Sequence, residues 1–307
     1  MNEFEFIELL KKTNSPVPLG IGDDAAVISI PSSQQLVISS DNAVEGIHFP
    51  LDSPLDKVAY RACVAALSDL AAMAAQPHWS LLSVTIPKYP DDSLYHSLAT
   101  GILSAFNEYG VTLIGGNTTK GPLNLGVTVM GLIPIDQYIT RQSAKAGEGI
   151  YVTGTLGDAA LGLQSIQGSF QGQYREFLED RFWRPTPRFE MIPFLQKVHA
   201  SSCIDISDGL QGDLQHILKA SGVGAIIESA LLPLSHPLQQ LPLQKALQLA
   251  LTGGEDYELC FTAPKALVAN HQNSFPIPVT YIGDVTQSLD YKILGFVSDT
   301  LGSYQHF

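Results

Sequence analysis

The feature that most constrains this chain is a repeated alternation: short apolar runs ending in polar or acidic residues, separated by longer stretches with helical spacing. Residues 36–41, LVISSD, 81–88, LLSVTIPK, and 125–134, LGVTVMGLIP, each read as a buried strand. Between them Ala59, Ala62, Cys63, Ala66, Leu70 and Met73 recur at helical intervals from Lys57 to Ala75, and Ser93 to Tyr109 reads as a second amphipathic helix closed by Gly110. The polar segment Asp136 to Gly149 interrupts the pattern, and IYVTG at 150–154 restarts a strand, so the domain boundary falls near residue 140. Beyond it, SCIDIS is a strand leading into a helix with Leu210, Leu214, Ile217 and Leu218 on its apolar face and Gly222 at its stop; DYELCFT is a further strand. Residues 167–187, with Gly, Gln, two Pro and Trp183, read as an irregular surface excursion. A length of 307 residues suits two domains, 1–138 and 139–307, each mixing α and β.

Charge narrows the partners. Seventeen Lys and Arg against 30 Asp and Glu give a formal charge of −13, which argues against nucleic acid or an anionic membrane surface, both of which demand a basic face. Many of the carboxylates sit beside Gly, Ser and Ala at the ends of apolar runs, a placement that suggests cations. Cys63, Cys203 and Cys260 have no paired spacing and read as small buried hydrophobes in a reducing compartment. The acidic start MNEFEFIELLKK does not read as a signal peptide, and there is no apolar run of about 18 residues to span a bilayer. The expectation is a cytoplasmic protein.

Six short segments carry the chemistry. Gly20 to Ala25, GIGDDA, matches a dinucleotide fingerprint in form, but two carboxylates stand where a pyrophosphate would approach; Asp24 in a glycine loop suits a divalent cation, or the segment is a simple Asp-rich turn. Ser39 to His48, SSDNAVEGIH, follows an apolar strand, where open α/β sheets place ligands; Asp41 is a candidate metal ligand, and His48 a phosphate donor or a structural histidine. Asp69 sits inside the Ala- and Leu-rich helix. An unpaired buried charge there is costly, so a cation or a donor awaits it unless it lies on the exposed face. Ile114 to Gly121, IGGNTTKG, reads as a glycine-rich turn able to cradle phosphates, although it is not a Walker loop. In Asp205 to Gly209, DISDG, Ser207 or Asp208 is placed to cap the following helix, which leaves Asp205 unexplained. Thr252 to Glu258, TGGEDYE, is again acidic after paired glycines. Together, several carboxylates, flexible glycine loops and few lysines point to Mg²⁺ ions holding a polyphosphate.

In order, GIGDDAAV, SSDNAVEGIHF, LSDLAAM, LIGGNTTKGP, YVTGTLGDAALGL, DISDGL and GGEDYELCFT resemble the motif series of thiamine-monophosphate kinases, within the wider aminoimidazole ribonucleotide synthetase superfamily. The series spans residues 20 to 262. The resemblance implies an N-terminal α/β domain whose strands join those of a second subunit in a dimer barrel, so a homodimer, and a C-terminal α+β domain over the nucleotide. It implies Asp24, Ser39, Ser40, Asp41, Asp69, Asp205 and Asp208 as Mg²⁺ ligands. Asn117 stands where the family usually has Asp, and an amide oxygen can still ligate the metal without adding charge. Gly116, Asn117, Arg141 and Ser207 resemble ATP contacts, with Arg141 the cation on the transferring phosphates. His48, Glu255 and Tyr304 resemble contacts to thiamine monophosphate. Asp41, Asp69, Arg141 and Asp205 are then the residues expected to carry turnover.

The implied reaction is in-line attack by a phosphate oxygen of thiamine monophosphate on the γ-phosphorus of ATP. That nucleophile is already ionised at pH 7, so neither a strong general base nor a phosphoenzyme is expected. Rival readings are an ATP-using synthetase of the same superfamily, a metal-dependent phosphatase, and a non-catalytic sensor of ATP or thiamine phosphate.

Overall fold

The computed structural model describes residues 3–11, 17–87 and 91–296. The chain divides into two compact units, one made of Met1–Leu70 with Ala75–Asp136, the other of Ala71–Ala74 with Gln137–Phe307. The four-residue exception has a local cause: the Ile139 N–H donates to the Met73 carbonyl at 3.2 Å.

In the first unit the order is α1 (Glu3–Leu10), β1 (Gln34–Val44), α2 (Leu55–Ala72), β2 (Gln76–Ile86), α3 (Asp92–Glu108), β3 (Thr112–Lys120) and β4 (Asn124–Pro134). The strands form one sheet of order β1-β4-β2-β3, with β1 and β2 antiparallel to β4 and β3 parallel to β2. A parallel pair needs a long crossover, and α3 supplies it. α3 begins where Asp91 caps the Leu94 N–H at 2.9 Å, and it buries Leu98, Ile102, Ala105 and Phe106. α2 buries Val58, Ala59, Ala62, Cys63, Ala66, Leu67 and Leu70, the stripe that its spacing predicts. Each large side chain of this kind, once fully buried, contributes roughly 1.5–3 kcal/mol.

β3 departs from the sequence expectation. The stretch read as a glycine-rich turn is a strand, paired with β2 so that Gly116 lies opposite Leu82 and Asn117 opposite Ser83. Close approach explains the glycine: a Cβ on Gly116 would come within 1.9 Å of the Leu82 carbonyl oxygen.

The second unit contains β5 (Gly149–Thr153), α4 (Asp158–Ile166), α5 (Arg175–Trp183), α6 (Ile192–Lys197), β6 (Ser202–Asp205), α7 (Leu210–Ser221), β7 (Gly224–Glu228), α8 (His236–Gln239), α9 (Leu243–Thr252), β8 (Leu259–Ala263), α10 (Lys265–His271), β9 (Val279–Thr286) and β10 (Tyr291–Leu294). Its six-stranded sheet runs β10-β7-β9-β5-β8-β6, antiparallel except for β10 on β7. Ile150, Val152, Ile204 and Cys260 from the strands share one core with Leu210, Leu214, Ile217 and Leu251 from α7 and α9. The surface excursion expected at 167–187 is instead partly helical: α5 buries Leu178, Phe182 and Trp183, and Ser165 of α4 donates to Glu179 at 2.9 Å. Cys63, Cys203 and Cys260 are all buried and unpaired thiols. No helix among the described residues is long and apolar enough to cross a membrane.

Candidate functional site

Four candidate residues of the first unit, Ser39, Ser40, Asp41 and Asp69, lie on β1 or bond to it. Alternation along β1 turns Ser39 and Asp41 to one face and Ile38, Ser40 and Asn42 to the other, more exposed one. On the first face the Ser39 hydroxyl donates to Asp69 Oδ2 at 2.5 Å, which ties β1 to α2 and supplies the donor that Asp69 demanded. On the other face the Ser40 and Thr128 hydroxyls meet at 2.9 Å. The register carries these faces across the sheet: Asp41, Val127, Leu82 and Gly116 form one row, and Asn42, Gly126, Ser83 and Asn117 the next. Within one copy of this unit, Ser40 and Asn117 therefore lie on the face away from Asp41 and Asp69.

His48 closes the turn after β1. The Val44 N–H donates to its Nδ1 at 3.1 Å, so in this arrangement the ring proton sits on Nε2. Asp24 is exposed, its N–H bonded to the Asp23 carboxylate at 2.8 Å beside a bridge between Leu19 and Val27.

In the second unit, Asp205 ends β6, and Ile206 to Gly209 turn into α7. The residue that caps α7 is Gly209, with no side-chain hydrogen bond, so neither Ser207 nor Asp208 serves the capping role that the sequence allowed. The turn is instead held from the helix: Asp213 Oδ2 accepts the N–H of both Ser207 and Asp208 at 3.0 Å. Burial first, then the neighbouring Asp205 and Asp208, push the Asp213 carboxyl up to about 8 against those two donors. Asp213 escaped the sequence reading because its partners are backbone groups brought to it by the turn.

Beside that turn runs the loop Gly253 to Glu258. The Glu255 N–H donates to the Ser207 carbonyl at 2.8 Å and the Tyr257 N–H to Ile206 at 2.9 Å, while the Ile206 N–H donates to Glu258 at 2.8 Å. Gly254 permits the contact, since a Cβ there would lie 2.2 Å from the Ser207 oxygen. Glu255 (φ 74°) and Tyr257 (φ 51°) are non-glycine residues in left-handed backbone, a conformation costing on the order of 1–3 kcal/mol each and concentrated at functional sites. The Tyr257 hydroxyl donates to Glu255 at 2.7 Å.

Two buried carboxylates alternate with this strained pair along the chain. Asp256, 1% exposed, accepts the Gly157 N–H at 2.6 Å and the Ala159 N–H at 3.1 Å at the start of α4. Burial pushes it up to about 7, opposed by Arg181 and the two amides and reinforced by Asp158. Glu258 is fully buried and accepts from Thr153 at 2.6 Å, Arg181 at 3.0 Å and Arg188 Nε at 2.7 Å. Burial alone would raise it, but Arg188 and Arg181 bring it below its usual value.

Arg141 is exposed. Its carbonyl accepts from Ser221 at 3.3 Å, at the end of α7 opposite the Ser207–Asp208 turn. Tyr304 lies outside the described residues.

The candidate oxygen donors thus fall into two sets, Ser39, Asp41 and Asp69 in one unit and Asp205, Ser207 and Asp208 in the other. No three His, Cys, Asp or Glu side chains among the described residues form a group able to hold a metal alone. Mg²⁺ asks a protein for one or two carboxylates and takes the remainder from water and substrate phosphates, and each set offers that number.

Comparison with known proteins places this arrangement. Residues 22–133 match the family "AIR synthase related protein, N-terminal domain", and residues 145–294 match "AIR synthase related protein, C-terminal domain", so the chain has the two-domain fold of that class. Within the class, the chain is 41% identical to a thiamine-monophosphate kinase of Escherichia coli K12, over 98% of this chain and 96% of that one. The crystal structure of thiamine-monophosphate kinase from Stenotrophomonas maltophilia K279a superposes with a TM-score of 0.85 at 35% identity, covering 96% of each chain. A structure described as AaThiL complexed with AMPPCP and TMP superposes with a TM-score of 0.80 at 32% identity, covering 99% of this chain and 97% of that one. The chain belongs to the thiamine-monophosphate kinase family, and it is an enzyme, a phosphotransferase.

Proposed function

We propose that this enzyme transfers the γ-phosphoryl group of ATP to thiamine monophosphate, releasing ADP and thiamine diphosphate, by direct in-line displacement. A phosphate oxygen of thiamine monophosphate forms the new bond to phosphorus as the bond to the β-phosphate oxygen breaks. The acceptor oxygen is already ionised, so no side chain has to remove a proton. The observation that carries the reading is the pair of carboxylate sets, Asp41 with Asp69 and Asp205 with Asp208, in an acidic chain whose relative is described in complex with both an ATP analogue and TMP.

In this reading Asp24, Ser39, Ser40, Asp41, Asp69, Asn117, Asp205 and Asp208 hold several Mg²⁺ ions, which supply charge neutralisation for the polyphosphate. Gly116, Asn117, Arg141 and Ser207 contact ATP, and His48, Glu255 and Tyr304 contact thiamine monophosphate. His48 then offers its Nε2–H to the substrate phosphate as a neutral donor. Residues 1–138 carry metal binding and dimerisation, and 139–307 cover the nucleotide. The exposed apolar side chains Ile38 and Leu81, on the face of the sheet away from Asp41, support a homodimer joined through that face as a barrel. A reducing, cytoplasmic setting suits the three buried free thiols.

Incubation with ATP, Mg²⁺ and thiamine monophosphate, followed by chromatography, tests the proposal. It expects thiamine diphosphate and ADP in equal amounts. Inorganic phosphate without thiamine diphosphate would make the enzyme a phosphatase, and binding without turnover a sensor.

A further inference from the structure

We infer that Asp256 is a positioning residue for the reaction, a buried latch that holds the strained loop presenting Glu255. The inference rests on the proposal that Glu255 faces thiamine monophosphate.

Four observations lead to it, all within the second unit. Asp256 is the residue between two left-handed non-glycine positions, Glu255 and Tyr257. Glu255 and Tyr257 meet each other through the 2.7 Å hydroxyl bond, while Asp256 between them is buried. Inside, each of its oxygens takes one amide from the start of α4, Oδ2 from Gly157 and Oδ1 from Ala159. The same loop is joined by backbone hydrogen bonds to the Ser207 and Ile206 carbonyls, so its position also sets that of the Ser207–Asp208 turn.

A strained backbone persists only where its surroundings over-determine it. Backbone bonds to Ser207 and Ile206 hold the amides of Glu255 and Tyr257, and the Glu258 ion pairs hold the far end, whereas Asp256 acts through its side chain between the two strained residues. Without its carboxylate, Glu255 and Tyr257 are able to relax toward ordinary φ values, which turns the Glu255 carboxylate away from where it now points. Displacement of a contact group by about 1 Å is enough to cost on the order of a hundredfold in rate. A helix cap with no such role would cost stability alone.

The experiment compares Asp256→Ala, Asp256→Asn and Glu255→Gln as full-length proteins, measuring KM for thiamine monophosphate, KM for ATP, kcat and the thermal midpoint. Asn has one acceptor oxygen in place of two, so it keeps one of the two amide bonds. The expected result is a rise in KM for thiamine monophosphate of about tenfold or more in Asp256→Ala, matching Glu255→Gln, a smaller rise in Asp256→Asn, and a KM for ATP that moves far less. A folded Asp256→Ala with a lowered midpoint and wild-type KM, while Glu255→Gln raises KM, overturns the latch and leaves the substrate assignment standing. A wild-type KM in Glu255→Gln removes the assignment, and the latch with it. Should Asp256→Ala not fold, an unchanged KM in folded Asp256→Asn is the overturning result.

Discussion

Asp213 and Asp208 lie five residues apart, and the carboxylate of the first accepts the backbone N–H of the second at 3.0 Å while also accepting that of Ser207. One oxygen of a helical residue thus fixes the turn that presents Asp205 and Asp208. Asp213→Ala leaves two part-buried donors without this acceptor, at up to about 1 kcal/mol for each. Asp213→Asn keeps a carbonyl oxygen for them and replaces a carboxyl whose ionisation burial and two neighbouring carboxylates disfavour. Urea denaturation without added metal should show the alanine variant less stable than wild type and the asparagine variant equal to it or more stable. Equal losses in both would mean that the hydrogen bonds do not shape the turn.

The bond from Ser39 to Asp69 leads to a second expectation. Asp69→Asn retains an acceptor for the Ser39 hydroxyl, so β1 stays tied to α2, but the charge offered to a cation is lost. Turnover should fall by about two orders of magnitude or more, with circular dichroism and thermal midpoint close to wild type, and Asp41→Asn should behave alike. Near-wild-type kcat in a folded Asp69→Asn would restrict this carboxylate to a structural role.

The pH dependence of stability follows from Asp256, whose carboxyl is raised from 3.8 to about 7 by burial. The folded chain therefore holds its proton more tightly than the unfolded chain does. That contribution to stability is fully present below pH 3.8 and is lost as pH rises through about 7, at up to about 1.4 kcal/mol per pH unit for one proton. Asp256→Asn should flatten the fall in unfolding free energy between pH 4 and 7, as measured by chemical denaturation. Asp213, raised in the same direction, leaves a residual slope. An unchanged slope in Asp256→Asn would mean that the group is already ionised in the fold at low pH.

The elements read from the sequence were legible because their cores are periodic: α2, α3 and α7 show buried residues every three or four positions, and β1, β2 and β4 are runs of β-branched and aliphatic residues. β3 was not, because GGNTTK carries little strand propensity and is drawn into the sheet by its pairing with β2. α5 was hidden by its charges, since its buried face is no more than Leu178, Phe182 and Trp183. In the site, the burial cost of Asp69 announced a partner before Ser39 was seen to be one. Asp213 and Asp256 gave no such signal, because both bind backbone amides that only the folded chain delivers.

Asn117 allows the metal proposal to be tested at its least settled point. It is exposed on β3, in the row with Asn42 and Ser83, on the face away from Asp41. An amide oxygen there can ligate Mg²⁺ but contributes no charge, whereas a carboxylate contributes both. If Asn117 belongs to the metal set, Asn117→Asp should lower the Mg²⁺ concentration for half-maximal activity, and the shift should shrink with added salt as the new charge is screened. If the Mg²⁺ dependence does not move, the face bearing Asn117 and Ser40 holds no metal. The cation proposal would then reduce to Asp24, Ser39, Asp41 and Asp69 in the first unit and Asp205 with Asp208 in the second.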